Sequence, residues 1–210
     1  MYMDIKDKIK LAATDLFMRY GIRSVSMDDI AKEAGVSKKT VYQNIEDKAT
    51  LVKESLHEIL MKDREYVTAS INLENTNAFE KLLIIFEKGF EIICKIKPTV
   101  IYDLQKYYRE SWELVQVYHI DFMRKIICEN IKDGIKEEVY RKNIDAEFIS
   151  KIFTRNMVLL NDESLFPAAD FPRPRAMVQH LLYHLHGIIH KNYISSVEDI
   201  STRYLKMSMI

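Results

Sequence analysis

A run of polar side chains near residue 40 has the residue types that contact DNA. Within it, Val41 and Ile45 are apolar and four residues apart, so on a helix they share one face and leave the polar side chains on the other. Lysine can bind phosphate or guanine, glutamine and asparagine can pair with adenine, and hydroxyl groups commonly donate to phosphate oxygens. This chemistry predicts contact with double-stranded DNA. The outward set is Lys38, Lys39, Thr40, Tyr42, Gln43 and Asn44.

The elements that must position these side chains are predicted by residues 26–45, SMDDIAKEAGVSKKTVYQNI. Ala31 is small where two helices would touch, and Gly35 permits the positive φ of a tight turn. Val41 then returns an apolar side chain that fixes the second helix against the first. This is the spacing of a helix-turn-helix, and apolar periodicity before and after it adds a helix on each side.

The whole chain is predicted to be all-α. Apolar residues recur at helical intervals, and only five glycines and four prolines interrupt them. We expect a three-helix helix-turn-helix head at residues 1–47 and a larger helical bundle at residues 48–210 that binds an effector and dimerises. A chain of this length can bury enough surface without a metal or a disulfide, so no cofactor is expected. Polar breaks between the helices of the body are expected at 72–77, 97–98, 109–111, 143–145 and 166–174.

Charge and cysteine content constrain the partners and the compartment. The chain has 31 basic and 31 acidic residues, so any binding of nucleic acid must be local. Its two cysteines lack a CxxC spacing, which fits free thiols in a reducing compartment. The N-terminus has no apolar run of signal-peptide length, and nowhere do 18 apolar residues follow one another. The prediction is a cytoplasmic protein with no membrane partner.

Three stretches, IKLAATDLFMRYG, SMDDIAKEAGVSKKTVY and EDKATL, resemble the tetracycline-repressor (TetR) family. The resemblance covers about residues 5–52, a quarter of the chain. It implies a three-helix head, a long fourth helix that joins the head to an effector-binding body, and a dimer formed by the last two long helices.

The same resemblance implies roles for individual residues. Base-reading candidates are Lys38, Lys39 and Gln43. Phosphate-binding candidates are Ser26, Thr40, Tyr42, Asn44 and Lys48, and Ser37, which caps the second helix, completes the DNA-binding set. Lys39 stands where the family often has glycine, and residues 43–45 stand where it often has an aromatic-His-Phe triplet. The operator sequence therefore cannot be transferred from any relative.

Aromatic residues are frequent between 79 and 122, and several have a polar tip. Such residues could line an effector pocket, which in a helical bundle would be mostly apolar with a few orienting polar groups. Ordinary core packing is the alternative for each of them. The predicted effector-binding residues are Phe86, Phe90, Tyr108, Trp112 and His119.

The segment 176–190 combines histidines with an apolar stripe. His180 and His184 are four residues apart, as are His186 and His190, which is a possible metal spacing, but no carboxylate or cysteine lies near them in sequence, so no metal is expected. The stripe predicts a four-helix dimer interface. A monomer that buries the same stripe internally is the alternative. The interface set is Ile152, Phe153, Leu181, Leu182, Leu185, Ile188 and Ile189.

Together these features predict a DNA-binding transcriptional regulator. We expect a homodimeric repressor on a near-palindromic operator, released by a small-molecule effector. No nucleophile beside a base and no paired carboxylates are found, so no catalytic residue is expected. The remaining alternative is a helical metal-binding or scaffold protein with a helix-turn-helix-like head.

Overall fold

The computed structural model describes the backbone of residues 4–207 and the side chains of residues 4–204. Within these residues the chain is helical, apart from an isolated bridge between Tyr140 and Ile189. The all-α prediction, with an N-terminal helix-turn-helix, is confirmed. The helices are α1 (Ile5–Tyr20), α2 (Met27–Glu33), α3 (Lys38–Asn44), α4 (Lys48–Ile71), α5 (Ala78–Lys95), α6 (Pro98–Tyr107), α7 (Arg109–Val117), α8 (Arg124–Lys136), α9 (Ala146–Leu159), α10 (Arg173–Ile188) and α11 (Ile194–Met207).

Two short segments of other helical types complete this order. A π-helix, Tyr118–Met123, joins α7 to α8, and the residues that flank it keep α-helical backbone angles, so the helix continues through it. A 3-10 helix, Lys191–Tyr193, precedes α11. No described helix is both long and apolar enough to cross a lipid bilayer.

The chain divides into two compact units. The first runs to Glu65 and includes Lys95–Val115, and the second comprises Tyr66–Cys94 and the chain from Gln116 onward. The helix α4 therefore begins in the first unit and ends in the second, and α6 belongs to the first. The functional boundary at residue 47 stays a prediction.

The first unit has its own apolar core, formed by α1 to α4 and α6. Leu16 and Phe17 of α1 are buried in it together with Val100 and Leu104 of α6. A polar contact strengthens this packing, because Asp103 Oδ2 accepts a hydrogen bond from the backbone N–H in the turn after α1 at 2.8 Å. Helix α6 thus supports the turn that leads into α2.

The second unit has a separate core, contributed by α5, α8, α9, α10 and α11. Two of its buried polar side chains are paired: Tyr140 donates to Asn130 Oδ1 at 3.1 Å, and Asn130 donates to the Ala78 carbonyl at 2.7 Å. Burial raises the pKa of Tyr140 far above its usual range. The phenol therefore stays neutral and acts as a hydrogen-bond donor.

Candidate nucleic-acid interface

Helix α2 begins with a capping box. Ser26 Oγ accepts from the Asp29 backbone N–H at 3.1 Å, and Asp29 Oδ2 accepts from the Ser26 N–H at 2.9 Å and from its hydroxyl at 2.6 Å. These bonds satisfy backbone donors at the helix start, and those from Ser26 lower the pKa of Asp29. The hydroxyl of Ser26 already serves this cap, and its contact with phosphate stays a prediction.

The turn between α2 and α3 has the geometry that its sequence predicts. Gly35 has a φ of 63°, a left-handed conformation that favours glycine. Ala31 is buried, and its carbonyl accepts from the Val36 N–H at 3.0 Å, which closes the end of α2. The predicted roles of Ala31 and Gly35 are confirmed.

Helix α3 is held by its two ends and one buried side chain. Ser37 Oγ accepts from the Thr40 N–H at 3.0 Å and so caps the helix. Val41 is fully buried, and Ile45, just past the helix, is buried with it in the core of the first unit. The predicted inward pair is confirmed, and the rest of α3 is left for a partner.

Three of the exposed DNA-binding candidates on α3 have no partner among the described residues. Lys39, Tyr42 and Gln43 make no hydrogen bond or ion pair with another described residue, and Tyr42 is 50% exposed. Their spacing of three and four residues places them on neighbouring positions of the helix surface. They offer an ammonium group, a phenol and an amide, the mixed donors and acceptors that base edges and phosphates accept.

The other candidates on α3 already have partners within the chain. Lys38 Nζ lies 2.9 Å from Asp28 Oδ1 of α2, which raises the pKa of the lysine. Asn44 Nδ2 donates to the Thr40 carbonyl at 2.8 Å, and the hydroxyls of Thr40 and Ser37 lie 2.8 Å apart. These residues would have to exchange a bond to contact DNA. Their predicted roles therefore carry a larger cost than those of the three exposed residues.

Lys48 is placed differently from the other cations. Its Nζ donates to the carbonyl of Val25 and lies 5.9 Å from the centre of the Phe17 ring. Partial burial lowers the pKa of this lysine. The side chain thus ties the start of α4 to the turn before α2, and its contact with phosphate stays a prediction.

The predicted effector residues fall in two different units. Phe86 and Phe90 are stacked in the core of the second unit with ring centres 5.9 Å apart. His119 lies in the π-helix of that unit, where burial lowers its pKa to about 4. Tyr108 and Trp112 instead pack against the core of the first unit. Tyr108 also lines an open groove of about 1110 Å³, whose walls carry many charged side chains of α1, α4 and α7.

The predicted dimer residues are mostly buried inside the chain itself. Ile152 is 41% exposed, whereas the other six have exposures of 7% or less. Those six belong to the core of the second unit, which is the internal packing that the sequence left as an alternative. Because their surface is already covered, these six side chains leave little area for a contact with a second copy. The buried six are Phe153, Leu181, Leu182, Leu185, Ile188 and Ile189.

The histidines of α10 pack against an aromatic ring. The rings of His180 and His184 have centres 4.8 and 4.3 Å from that of Phe153, and His180 Nε2 lies 3.1 Å from the Phe153 carbonyl oxygen. His184 Nε2 is buried with no hydrogen-bond partner, and burial lowers the pKa of this imidazole to about 3. Among the described residues, no group of three or more potential ligands could hold a metal ion.

The sequence analysis missed two acidic residues that shape this region. Asp28 pairs with Lys38, and Asp103 of α6 accepts from the backbone of Arg23. The Asp28 contact joins helices that are neighbours in sequence, so the helix-turn-helix spacing could have indicated it. The Asp103 contact joins residues 80 positions apart. Nothing in the local pattern points to it.

Comparisons with known proteins agree with this geometry. Residues 9–54 match the family model described as bacterial regulatory proteins, tetR family. The HTH-type transcriptional repressor KstR2 of Mycolicibacterium smegmatis is 23% identical over 191 residues, which cover 87% of this chain and 90% of that protein.

Solved structures share the fold. CprB from Streptomyces coelicolor, in complex with its biological operator sequence, matches with a TM-score of 0.67 and 18% identity, covering 95% of this chain and 96% of that one. A gamma-butyrolactone receptor matches with a TM-score of 0.64 and 16% identity over 97% of both chains. The family model covers the helix-turn-helix described above, and the matched structures extend the likeness over nearly the whole chain. Residues 9–54 thus match the DNA-binding helix-turn-helix segment of the tetR family, and the solved structures show that the chain shares their fold.

Proposed function

We propose that this chain is a transcriptional repressor that binds a near-palindromic operator as a homodimer and is released by a small-molecule effector. One observation carries the proposal: α3 is fixed by Val41 and by its caps while Lys39, Tyr42 and Gln43 stay exposed. A repressor needs such a helix in duplicate, because two heads about one DNA turn apart enter successive major grooves. Its place of action is the cytoplasm, and it has no catalytic role.

Within the proposed head, residues 1–47, the exposed side chains of α3 have distinct roles. Lys39 and Gln43 read base edges, since an ammonium group can donate to guanine and an amide can pair with adenine. Tyr42 donates its hydroxyl to a phosphate. Lys38 is the third base-reading candidate and must first leave its ion pair with Asp28. The remaining candidates, Ser26, Ser37, Thr40, Asn44 and Lys48, hold the backbone of the duplex after they exchange their internal bonds.

The proposed dimer surface lies within residues 48–210 and is the exposed side of α9 and α10. Phe148, Ile152 and Leu159 of α9 are 60%, 41% and 43% exposed, and their spacing places them along one side of the helix. Tyr183 of α10 is 77% exposed. A second copy that covers these side chains would remove apolar area from water, which favours association. Of the predicted interface residues, Ile152 belongs to this surface.

The proposed effector site lies in the second unit near the π-helix. π-Helices are rare in proteins as a whole, and those that occur often lie at functional sites. The ring of Tyr118 packs against both His119 and Phe122, with centres 5.5 and 5.3 Å apart. Burial keeps His119 neutral, so its imidazole can both donate to and accept from an uncharged polar ligand. Phe86 and Phe90 supply apolar area in the same unit, whereas Tyr108 and Trp112 belong to the first unit and remain weaker candidates.

The function is tested by selecting genomic DNA fragments with the purified full chain. A bound fragment is then titrated by fluorescence anisotropy with the wild type and with Lys39→Ala, Tyr42→Phe and Lys125→Ala. We expect Lys39→Ala to weaken binding about tenfold or more and to flatten its salt dependence, because one cation no longer displaces counterions. Tyr42→Phe should weaken binding less.

The control for these variants is Lys125→Ala. Lys125 is exposed on α8 of the second unit and makes no described ion pair, so its removal should leave DNA affinity unchanged. Equal binding by all four proteins would contradict the assignment of α3. Selection that enriches no fragment at low ionic strength would contradict the function itself.

A further inference from the structure

Two cations and two tyrosines form an exposed cluster on the first unit, outside the helix-turn-helix. We call Arg23, Tyr102, Lys106 and Tyr107 the tyrosine–cation cluster. Arg23 lies in the turn between α1 and α2, and the other three lie on α6. All four are exposed, with 43% of each tyrosine accessible to solvent. The predicted DNA-binding set contains none of them.

The geometry of the cluster holds both cations in place. The Arg23 guanidinium lies 4.2 Å from the centre of the Tyr107 ring. Lys106 Nζ donates to the Tyr102 hydroxyl at 2.6 Å and lies 5.4 Å from the centre of Tyr107, and the two tyrosine rings meet edge to face at 6.2 Å. The hydrogen bond to Tyr102 raises the pKa of Lys106. One ring, Tyr107, thus contacts both positive groups.

The charge of the cluster is not neutralised by a described carboxylate. Arg23 and Lys106 make no ion pair with any described Asp or Glu. In contrast, cations elsewhere on the same unit are paired: Lys6 lies 2.8 Å from a carboxylate of Glu54, and Lys53 lies 2.9 Å from Glu110. Segment 95–109 holds four basic residues and one acidic residue, and that acid, Asp103, is buried and accepts from a backbone N–H.

Two ordered, unneutralised cations attract an oxyanion. Tyrosine contacts reduce the freedom that each long side chain would lose on binding, so less entropy opposes the contact. A guanidinium and an ammonium group together suit a phosphate, which accepts hydrogen bonds on several oxygens. The exposed tyrosine rings add a surface that bulk solvent does not fully hydrate.

We propose that the tyrosine–cation cluster binds the phosphodiester backbone of duplex DNA next to the segment that α3 reads. This inference rests on the proposed function. DNA is favoured over a free anion because Arg23 lies three residues before Ser26, the cap of α2, and because the cluster belongs to the same compact unit as α3. The cluster extends the contact along the duplex without reading bases.

The test uses the full chain with the changes Arg23→Gln and Lys106→Gln together. A DNA fragment selected by the wild type is titrated by anisotropy over a series of NaCl concentrations. We expect the slope of log K against log salt to become smaller by about 3.6, because each of the two protomers of the proposed dimer loses two phosphate contacts that release about 0.9 counterion each. The change Lys125→Gln with Lys191→Gln removes the same charge from exposed positions of the second unit and should leave the slope unchanged.

A shortened duplex and a charge-conserving variant locate the contact. On a duplex trimmed by about one helical turn at each end, about 10 bp, the wild type should lose the same part of its slope and the double variant should lose none. Arg23→Lys with Lys106→Arg keeps both charges and should retain most of the slope. Should the double variant fail to fold by its thermal midpoint, Lys106→Gln alone removes one contact from each protomer and should reduce the slope by about 1.8.

The outcomes separate this inference from the proposed function. If the wild type binds, Lys39→Ala weakens binding and the double variant keeps the wild-type slope, the cluster does not contact DNA and the repressor proposal stands. If the wild type binds no fragment, the proposed function fails first. If inorganic phosphate at matched ionic strength raises the thermal midpoint of the wild type but not of the double variant, while the DNA slope is unchanged, the cluster holds a free anion and the inference is overturned.

Discussion

Helices α3 and α10 both carry apolar residues at helical spacing, yet they use them in opposite ways. Of the seven residues of α3, Val41 is the buried one, and polar side chains cover the rest. Nine of the sixteen residues of α10 are buried, and six of these belong to the core of the second unit. Apolar periodicity therefore shows which side chains are buried, but not which helices they pack against. On α3 the cover comes from α1 and α2, whereas α10 packs against α9 and α11 in a core to which α5 and α8 also contribute.

The largest expected effect comes from a charge placed in the α10 stripe. Leu185 is fully buried, so Leu185→Asp removes its packing and buries a carboxylate without a partner. We expect a loss of about 5 kcal/mol or more in the free energy of unfolding, enough to unfold most of the second unit. Chemical denaturation followed by circular dichroism measures it.

Tyr183→Asp is the matched change on the exposed side of the same helix. Tyr183 is 77% exposed, so this variant should stay folded and, by the proposed dimer surface, become monomeric in light scattering. A folded, monomeric Leu185→Asp protein would instead show that the stripe faces a partner.

The second-largest expected effect is a loss of stability at acidic pH. It comes from a buried histidine of α10, and α3 has no such residue. The His184 imidazole has an ordinary pKa of 6.5 and a folded pKa of about 3, so the unfolded chain binds its proton first. Its contribution to stability is complete above pH 6.5 and is lost as the pH falls toward 3. We expect a loss of about 2 kcal/mol between pH 7 and pH 5 from this group.

His184→Phe should flatten this pH dependence, although the larger ring changes the packing at neutral pH as well. His186→Phe, at an exposed position of the same helix, serves as the control and should keep the wild-type profile. Denaturant midpoints across pH 4 to 8, with the half-buried His119 contributing in both variants, would measure it. Identical profiles for wild type and His184→Phe would show that folding does not change the pKa of His184.

The third effect tests how α3 is held. Ser37→Ala removes the acceptor for the Thr40 N–H and should cost about 1 kcal/mol of stability. Ser37→Asn offers another acceptor and should restore most of it. Thermal unfolding measures the stability, and a full loss in Ser37→Asn as well would place the role of Ser37 outside the cap.

The smallest expected effects come from two glycines, one in the turn before α3 and one within α10. Gly35→Ala should destabilise the turn before α3 by about 1 kcal/mol, because φ is 63° there although a Cβ would have space. Gly187→Ala in α10 meets no atom within 4 Å and should stabilise the single chain by about 0.5 to 1 kcal/mol. Opposite signs in thermal unfolding are expected, and equal signs would contradict the assigned backbone conformations.

Interactions between residues that are close in sequence explain which parts of the fold could be predicted. Ser26, Gly35, Ser37 and Val41 each act on residues within a few positions, so the helix-turn-helix and its exposed face were predictable. Pro98 begins α6 as expected, and the body separates into helices near the predicted breaks.

The rest depends on contacts between distant residues. The Asp103 bond that supports the turn before α2 spans 80 positions, and the cover over Leu185 comes from several helices. Neither contact can be predicted from the spacing of residues that are close in sequence. The π-helix was also missed, because one extra residue per turn hardly changes the apolar pattern of Tyr118–Met123.

The ion pair between Asp28 and Lys38 has a consequence for how the protein would search a chromosome. A carboxylate beside a DNA-facing ammonium group repels every stretch of duplex equally, so it lowers the time spent on arbitrary sites. Only where α3 also meets matching bases is that repulsion offset. In the proposed complex, where Lys38 faces DNA, Asp28 would improve discrimination between operator and bulk DNA by weakening the contact that all sequences share.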